Sequence, residues 1–355
     1  MIFETVLIII AVILLLIVPH ELGHFFAAKR FGVRVDEFGV GLPLPIGKGR
    51  YLRLKKQFGE TLYTLNALPL GGFVRIFGEE EDMHDPRSFS QQSFSRKVLI
   101  VAAGVIMNVV IAYGIFSFLA WYGTPQYAVE IASVLPGSPA ESVGLRAGDV
   151  IIGLDGIKKI PLDVGEVQSY IADKKGGEAF FIIKRGEDKL TIIGHPRLNH
   201  PLEEGAMGIT IGPKEVGIER TSWYRAPLEG LKVTYSVLVL LITGLIQFFK
   251  ELFLTGSAPG EVVGPVGIAV VARESFSIGI DYLLRLVAFL SLNLAVINIL
   301  PIPALDGGRI LFFIIEKVKG RPIPAHISQI IHSVFLLLLI FFLMWVTYHD
   351  IARLI

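Results

Sequence analysis

The stretch VLIIIAVILLLIVPHELGH, residues 6–24, is the most informative part of the chain. Its first thirteen residues, 6–18, carry no charge, and only Pro19 separates them from a His-Glu-x-x-His motif. Ionisable side chains at membrane depth cost several kcal/mol unless they are paired or bound to a metal, so they mark functional sites. We therefore expect a membrane-spanning helix from about Phe3 to Ala27 that carries such a site.

The motif has the spacing of a metal site on a helix. His20 and His24 are four residues apart, so their rings lie on one face, one turn apart, and can reach a single Zn²⁺. Glu21 beside them can act as a general base on a metal-activated water. The alternative is an ordinary amphipathic helix with surface His and Glu, but an all-apolar helix has no water-facing side to receive these groups.

A third protein ligand is expected, because catalytic zinc sites usually have three protein ligands and one open position. Asp306 is the strongest candidate, since it lies between two hydrophobic stretches, directly after the Pro-Ile-Pro break at 301–303. Proline kinks or ends a helix, and Gly307 and Gly308 permit close approach of the backbone. A buried carboxylate at a broken helix needs a partner, which a metal supplies. The alternative is that Asp306 only caps the helix that follows.

These motifs match those of a known family. HELGH at 20–24, together with NILPIPALDG at 298–307, resembles the site-2 protease family of intramembrane zinc metalloproteases. The bacterial regulated-intramembrane-proteolysis branch is the most similar. GVIMN at 104–108 and GGFV at 71–74 resemble further motifs of the family, so the resemblance extends over the whole chain.

The resemblance implies a zinc-dependent protease that hydrolyses peptide bonds inside transmembrane segments. Its expected substrates are single-span membrane proteins, such as anti-sigma factors, after a first cleavage outside, or remnants of signal peptides. The implied site residues are His20, His24 and Asp306 for the metal, Glu21 for catalysis, and Asn298, Asn108, Gly71 and Gly72 for substrate binding. Asn108 also has a structural interpretation, as a hydrogen-bonding partner of the loop between the first two spans or of a neighbouring helix.

Residues 29–97 form that loop. Alternating patterns at Tyr51–Leu54 and Thr61–Leu65 predict the strands of a hairpin. The resemblance implies a membrane-associated β-loop that dips into the membrane beside the active site. Strand edges cannot face lipid, so the loop must line a cavity or pair with another strand, and an extended substrate could be that strand. A plain cytoplasmic hairpin is the alternative.

Residues 125–213 differ in character, with many charges and with Gly and Pro turns. SPAESVGLRAGDVI at 138–151 and LDG at 154–156 resemble the PDZ domain, and the chain has room for only one, whereas members of the branch often carry two. PDZ domains bind extended peptides along a sheet edge, but a plug or a size filter is equally compatible with the sequence. The flanking strands expected here are Ala128–Val134, Ala179–Arg185 and Lys189–Gly194.

Composition excludes several classes of protein. The chain has 355 residues, of which 52% are hydrophobic and 18% charged, which is too apolar for an ordinary soluble domain. A net charge of +1 argues against a nucleic-acid partner. The apolar composition makes membrane lipid the expected surroundings. Without cysteine, disulfides and Cys-ligated metals are excluded. The N-terminal apolar run lacks the basic n-region and small-residue cleavage site of a signal peptide, so we expect it to be retained.

The positions of lysine and arginine predict the topology. Eight of them lie between residues 29 and 56 and three within 316–326, which puts both loops in the cytoplasm. The termini and the PDZ-like domain are then extracytoplasmic, in a bacterial inner membrane, with the active site near the cytoplasmic side. Four spans bring Asp306 to the depth of the two histidines, whereas a fifth span at 231–249 would invert the third, so we expect 231–249 to be interfacial.

The predicted fold is therefore a polytopic α-helical membrane protein with four transmembrane helices, a membrane-associated β-loop and one inserted extracytoplasmic PDZ-like α/β domain. The expected spans begin and end near residues 3–27, 98–122, 283–300 and 327–348. The expected domains are 1–124, with the HExxH helix, β-loop and second span; 125–213, PDZ-like; 214–282, an interfacial amphipathic helix and a flexible connection at 256–267; and 283–355, with the Asp306 motif.

Two other functions are compatible with parts of this pattern. One is a non-catalytic membrane receptor or scaffold that uses the PDZ-like domain and keeps zinc as a structural ion. An intact Glu21 argues against it, because a structural site needs no base. The other is metal transport, but a transport path usually has several clusters of acidic or histidine residues, and only one such cluster is evident.

Overall fold

A computed structural model of the chain describes residues 2–47, 50–79, 83–158, 162–199, 204–256, 264–321 and 323–354. The chain divides into two compact units, which are described separately below. The membrane unit consists of Met1–Ala120 and Trp223–Ile355, and the inserted unit is Trp121–Ser222. The inserted unit contains the whole of 125–213, the range expected for the PDZ-like domain.

Helices predominate in the membrane unit, and strands predominate in the inserted unit. In chain order the elements are α1 Ile2–Arg30, β1 Val35–Leu42, β2 Leu44–Gly47, β3 Arg50–Phe58, β4 Thr61–Asn66, β5 Leu68–Ile76, α2 Phe94–Tyr122, β6 Thr124–Val134, α3 Pro139–Ser142, β7 Val150–Leu154, β8 Ile157–Lys158, α4 Val164–Asp173, β9 Ala179–Arg185, β10 Asp188–Gly194, β11 Ile209–Glu219, α5 Ala226–Thr255, α6 Pro265–Ile278, α7 Ile280–Asn298, α8 Asp306–Lys319 and α9 Ala325–Leu354.

Five helices in the described part of the chain are long and apolar enough to cross a membrane. Four of them, α1, α2, α7 and α9, correspond to the four spans expected from the sequence, and α7 ends at Asn298, two residues before the expected end of the third span. The fifth is α5, which covers 231–249, the segment expected to lie at the interface. By length and composition α5 could also cross, so the count of four spans stays a prediction.

Packing within the membrane unit fixes the relative direction of α1 and α7. Ile8 and Val12, near the start of α1, pack with Leu283 and Val287, near the start of α7. At the other end of α1, the two motif histidines meet Asp306, which follows α7. The helices therefore run parallel, as the shared depth of the ligands requires. If α5 crossed the membrane, the chain would have to cross it once more before residue 280, so that α7 could begin on the same side as α1.

A five-stranded sheet follows α1, with strand order β2-β3-β4-β1-β5. The strands β3 and β4 form the antiparallel hairpin expected at 51–54 and 61–65, and β1 pairs with β4 in parallel and with β5 antiparallel. On one face of the sheet, Phe38 and Tyr63 contact the ring of Phe25 in α1. Since β5 is at the end of the order, its outer edge has no neighbouring strand among the described residues.

The inserted unit is an antiparallel sheet with the order β10-β9-β7-β6-β11, and β8 pairs with β7. The strands expected from the sequence lie within β6, β9 and β10, with β9 matching Ala179–Arg185. Ser138 caps α3 by accepting a hydrogen bond from the backbone N–H of Glu141. The strand β11 was not predicted, and it pairs with β6 from end to end.

Two predicted connections differ from the structure. A flexible connection was expected at 256–267, but α6 begins at Pro265 and packs against α1, α7 and α9; residues 257–263 lie outside the described part of the chain. The glycine and proline content of this stretch predicts a loop, but Pro265 instead occupies the first position of a helix, where proline is favourable. The basic loop expected at 316–326 is shorter, since α8 continues to Lys319 and α9 begins at Ala325.

Candidate metal centre

The helix α1 carries the two motif histidines to a buried position. It continues through Pro19 to Arg30, so His20 and His24 remain on one helical face. Their Nε2 atoms are 3.2 Å apart. The two side chains are 7% and 8% exposed, so neither ring can rely on water to satisfy both nitrogens.

The turn between α7 and α8 delivers Asp306 to the same place. It is compact: the N–H of Ile302 donates to the carbonyl of Leu300, at 2.7 Å. A Cβ atom at Gly307 would overlap the carbonyl oxygens of Ile299 and Leu300, so only glycine fits there. Ala304 has a φ of 83°, a conformation that non-glycine residues rarely adopt and that is often found at functional sites.

The side chains of His20, His24 and Asp306 converge, with one ligand atom from each residue within 4.8 Å of the others. The Oδ2 atom of Asp306 is 3.1 Å from Nε2 of His20 and 3.5 Å from Nε2 of His24. This oxygen is buried and makes no hydrogen bond within the described part of the chain. A carboxylate oxygen and two imidazole nitrogens fit zinc, since these are the donor atoms that zinc binds in proteins.

Contacts with α2 orient the ring of His24. Its Nδ1 atom is 2.9 Å from the carbonyl oxygen of Ile100. A carbonyl only accepts hydrogen bonds, so Nδ1 carries the proton, and Nε2 of the neutral ring is left as a lone pair directed at Asp306. Such a lone pair facing a carboxylate is repulsive unless a cation lies between them.

Glycines bring α1 and α2 close together at this point. A Cβ atom at Gly23 would overlap the carbonyl oxygen of Ala103, and one at Gly104 would overlap Nε2 of His24. Small residues at helix contacts allow this approach in membrane proteins. The sequence carries no signal for the packing role of Gly23, the fourth residue of HELGH, and marks Gly104 only as part of the GVIMN motif.

Asn108 lies behind His20. Its side chain is fully buried, and its Nδ2 atom is 3.3 Å from Nδ1 of His20. The backbone carbonyl of Asn108 accepts a hydrogen bond of 2.9 Å from the hydroxyl of Ser291, in α7. Of the two interpretations left open by the sequence, the contacts favour the structural one, although its partner is a ring of the metal site.

Glu21 lies beside the edge strand β5. A Cβ atom at Gly72 would be 3.5 Å from Cγ of Glu21 and 3.7 Å from Cγ2 of Ile17, and one at Gly71 would be 3.8 Å from Cδ1 of Ile17. In the described part of the chain no residue donates a hydrogen bond to the Glu21 carboxylate, which is therefore free to accept a proton. The two glycines thus let the backbone of β5 pass close to Glu21, the candidate base.

Asn298 is the last residue of α7, directly before the turn that leads to Asp306. Its side chain has no hydrogen bond to any residue that the structure describes. The structure therefore brings together the three metal candidates and places Glu21 next to Gly72, but among the described residues Asn298 makes no side-chain hydrogen bond to the other site residues.

One further contact at the site was not predicted. Arg309, on the first turn of α8, forms an ion pair of 2.6 Å with Glu79, whose side chain is 14% exposed. This pair connects the helix that begins with Asp306 to the residues directly after β5. The spacing of Arg309 three residues after Asp306 places it in the same helical turn, but nothing in the sequence identifies Glu79 among its acidic neighbours.

Comparison with known proteins agrees with this geometry. The profile of "Peptidase family M50" matches residues 8–342. The chain is 36% identical over 341 residues to a Clostridium perfringens protein named "Putative zinc metalloprotease", and the alignment covers 95% of each chain. It is 33% identical over 353 residues to "Membrane metalloprotease ARASP, chloroplastic" of Arabidopsis thaliana, covering 96% of this chain and 77% of that protein. The chain belongs to peptidase family M50 and is a membrane zinc metalloprotease.

Proposed function

We propose that this metalloprotease cleaves peptide bonds within the transmembrane segments of single-span membrane proteins. The substrates are anti-sigma factors or similar proteins that another protease has already cut outside the membrane, or remnants of signal peptides. The observation that carries the proposal is the convergence of His20, His24 and Asp306 next to helices long enough to span a bilayer, with Glu21 beside an open strand edge.

In this proposal each site residue has a separate task. His20, His24 and Asp306 hold the zinc ion, which when bound supplies Lewis-acid activation of a water and polarises the scissile carbonyl. Glu21 accepts a proton from the attacking water and later donates it to the leaving amine. Burial of the site keeps competing water away and strengthens these electrostatic interactions.

The substrate must be extended at the scissile bond. In a transmembrane helix every backbone group is hydrogen-bonded internally, so unwinding leaves N–H and C=O groups that need new partners. The outer edge of β5 offers such partners beside Glu21, because a sheet edge can accept an added strand. Gly71 and Gly72 lie in this strand, and Asn298 is the candidate for a further hydrogen bond to the substrate backbone.

The proposed location is the bacterial inner membrane, with the site near the cytoplasmic side and both termini outside. The parallel direction of α1 and α7 supports this arrangement, since both lead to the metal site. We also propose that the inserted unit is a single extracytoplasmic PDZ-like domain. Its edge strand β11 and the neighbouring α4 are consistent with a peptide groove, and a size filter would use the same position without binding peptide.

The test is cleavage of a single-span substrate by the purified protein in detergent. Wild type should produce fragments, whereas Glu21→Gln and a sample treated with a chelator should not. The Glu21→Gln variant should still bind about one zinc ion, because the substitution leaves all three ligands in place.

Cleavage by Glu21→Gln at the wild-type rate would contradict the role of Glu21. The alternative is a receptor with a structural zinc ion. It predicts that the wild type binds one zinc ion but yields no product from any single-span substrate, trimmed or untrimmed.

A further inference from the structure

The two zinc-ligand candidates on α1 are held differently by α2. Ile100, Gly104 and Asn108 are spaced by four residues and so share one face of that helix, directed at His20 and His24. The carbonyl of Ile100 fixes the proton of His24 on Nδ1. For His20 the corresponding partner is the amide of Asn108, which can donate or accept according to its rotation.

The rotation shown leaves one polar atom without a partner. With Nδ2 directed at His20, the Oδ1 atom of Asn108 is buried and makes no hydrogen bond to any described residue. In this rotation Nδ1 of His20 accepts a hydrogen bond from the amide N–H, so the neutral ring carries its own proton on Nε2. Since Nε2 lies 3.1 Å from Oδ2 of Asp306, at the centre of the site, a proton on this nitrogen leaves the ring without a lone pair for a metal there.

Rotating the amide by half a turn exchanges its two ends. Oδ1 then accepts from Nδ1–H of His20, and Nε2 becomes the lone pair that a metal requires. The second ring nitrogen of a metal-binding histidine usually donates to a carbonyl or carboxylate in this way, which orients the ring.

We propose that Asn108 is a positioning residue for the metal site: its amide oxygen holds His20 in the tautomer that binds zinc through Nε2. This rests on the proposed metal site but not on any substrate. The hydrogen bond from Ser291 to the Asn108 backbone carbonyl, 2.9 Å long, anchors that turn of α2 to α7. Gly104, one turn earlier, provides the space into which both rings fit.

Substitutions at position 108 can distinguish whether this side chain acts as a hydrogen-bond acceptor or as a donor. Asn108→Asp has two acceptor oxygens and matches the tautomer that binds zinc, whereas Asn108→Leu has the same approximate size and no polar group. Loss of a partner behind a metal ligand typically costs 10- to 100-fold in metal affinity. Asn293→Leu is the matched control, because Asn293 lies in α7 and its side chain has no hydrogen bond to a described residue.

The experiment measures Zn²⁺ affinity by competition with a chelator, using the full-length protein in detergent and the Glu21→Gln background. Proteolysis is then absent, so the result does not depend on whether the proposed substrates are right. We expect Asn108→Leu to lose about 10- to 100-fold in affinity, and Asn108→Asp and Asn293→Leu to stay within about threefold of the parent.

Visible absorption of the Co²⁺-substituted proteins provides a second readout. Asn108→Leu should show an altered ligand-field spectrum at saturating Co²⁺, which a loss of helix packing alone would not produce. Unchanged zinc affinity and an unchanged spectrum in Asn108→Leu would overturn the proposal. An equal loss in Asn108→Asp and Asn108→Leu would also overturn it, because the amide would then act as a donor.

Discussion

In the inserted unit, large side chains such as Phe181, Ile131 and Ile151 fill the core, whereas the helices of the membrane unit meet at their smallest residues. Gly23 of α1 lies against the backbone of Ala103, and Gly230 of α5 against Ser117. In water, burial of large apolar side chains drives folding, while in lipid the tails are as apolar as leucine and close helix packing takes over. Enlarging a small residue should therefore damage the membrane unit, whereas truncating a large apolar residue should damage the inserted unit.

The largest expected effect on activity comes from filling the space beside the metal site. A Cβ atom at Gly104 would overlap Nε2 of His24, so Gly104→Ala should displace a ligand and reduce both zinc affinity and cleavage by about 100-fold or more. Gly114, on the same helix, has nothing within 4 Å of its Cβ position, so Gly114→Ala should change neither. Equal behaviour of the two variants would contradict the close packing of α1 and α2 at the site.

The opposite change should matter in the inserted unit. Phe181 is fully buried in its core, so Phe181→Ala should lower the free energy of unfolding of this unit by about 3–5 kcal/mol. Ile157, which is 70% exposed, is the control, and Ile157→Ala should cost about 0.5 kcal/mol or less. Hydrogen exchange of the strands in the full-length protein measures both values. A similar loss for the two variants would mean that this core does not stabilise the unit.

A smaller effect is expected from the buried charge pair of the inserted unit. Arg185 donates two hydrogen bonds of 2.7 Å to Asp149. Burial raises the pKa of Asp149, but the hydrogen bonds from Arg185 and from the backbone of Arg146 lower it more, so the folded-state pKa is below the ordinary value. The stabilisation is thus present above the unfolded-state pKa of about 3.9 and is lost as the pH falls through the lowered folded-state pKa.

Asp149→Asn should therefore cost about 2 kcal/mol at neutral pH, less than a fully buried pair because Arg185 is partly solvated. The variant should also have a flatter dependence of stability on pH below about 4. Hydrogen exchange of β7 and β9 at several pH values would reveal this, and an unchanged slope in Asp149→Asn would assign the acid sensitivity to other groups.

The smallest effect concerns the ion pair between Glu79 and Arg309. Because it is partly exposed, its loss in Glu79→Gln or Arg309→Gln should cost about 1 kcal/mol, seen as roughly a fivefold lower kcat/KM. Reversing both charges, in Glu79→Arg with Arg309→Glu, should recover part of the activity. If the double variant loses as much kcat/KM as the two single variants combined, the ion pair does not contribute to activity by connecting α8 to β5.

Much of the fold could be predicted because the signals are local. Long, mainly apolar stretches predicted α1, α2, α7 and α9 to within a few residues, and alternation predicted the hairpin β3–β4 and the strand β9. The residues of the metal site could be chosen from residue type and sequence position, since Asp306 is an acidic residue at a helix break between two apolar stretches.

The parts that could not be predicted depend on contacts between distant segments. The strand β11 contains Gly212, Pro213 and Gly217, which weaken a strand signal, and its pairing with β6 is a contact between distant segments. The helix α6 follows a glycine-rich connection, and its N-terminus is held by Asp350 of α9, which accepts hydrogen bonds from the N–H groups of Gly264 and Gly267. The contact between Asn108 and His20 requires the register of α2 against α1, which no local pattern reveals.

The most direct test of intramembrane proteolysis is to map the cleavage position. The wild-type protein and Glu21→Gln would be reconstituted in lipid vesicles with a single-span substrate already trimmed outside, and the fragments would be measured by mass spectrometry. We expect the wild type to cut within the apolar segment of the substrate, toward the cytoplasmic side, and Glu21→Gln to produce no fragment. Fragments that end only in the water-exposed parts of the substrate would contradict a membrane-buried active site.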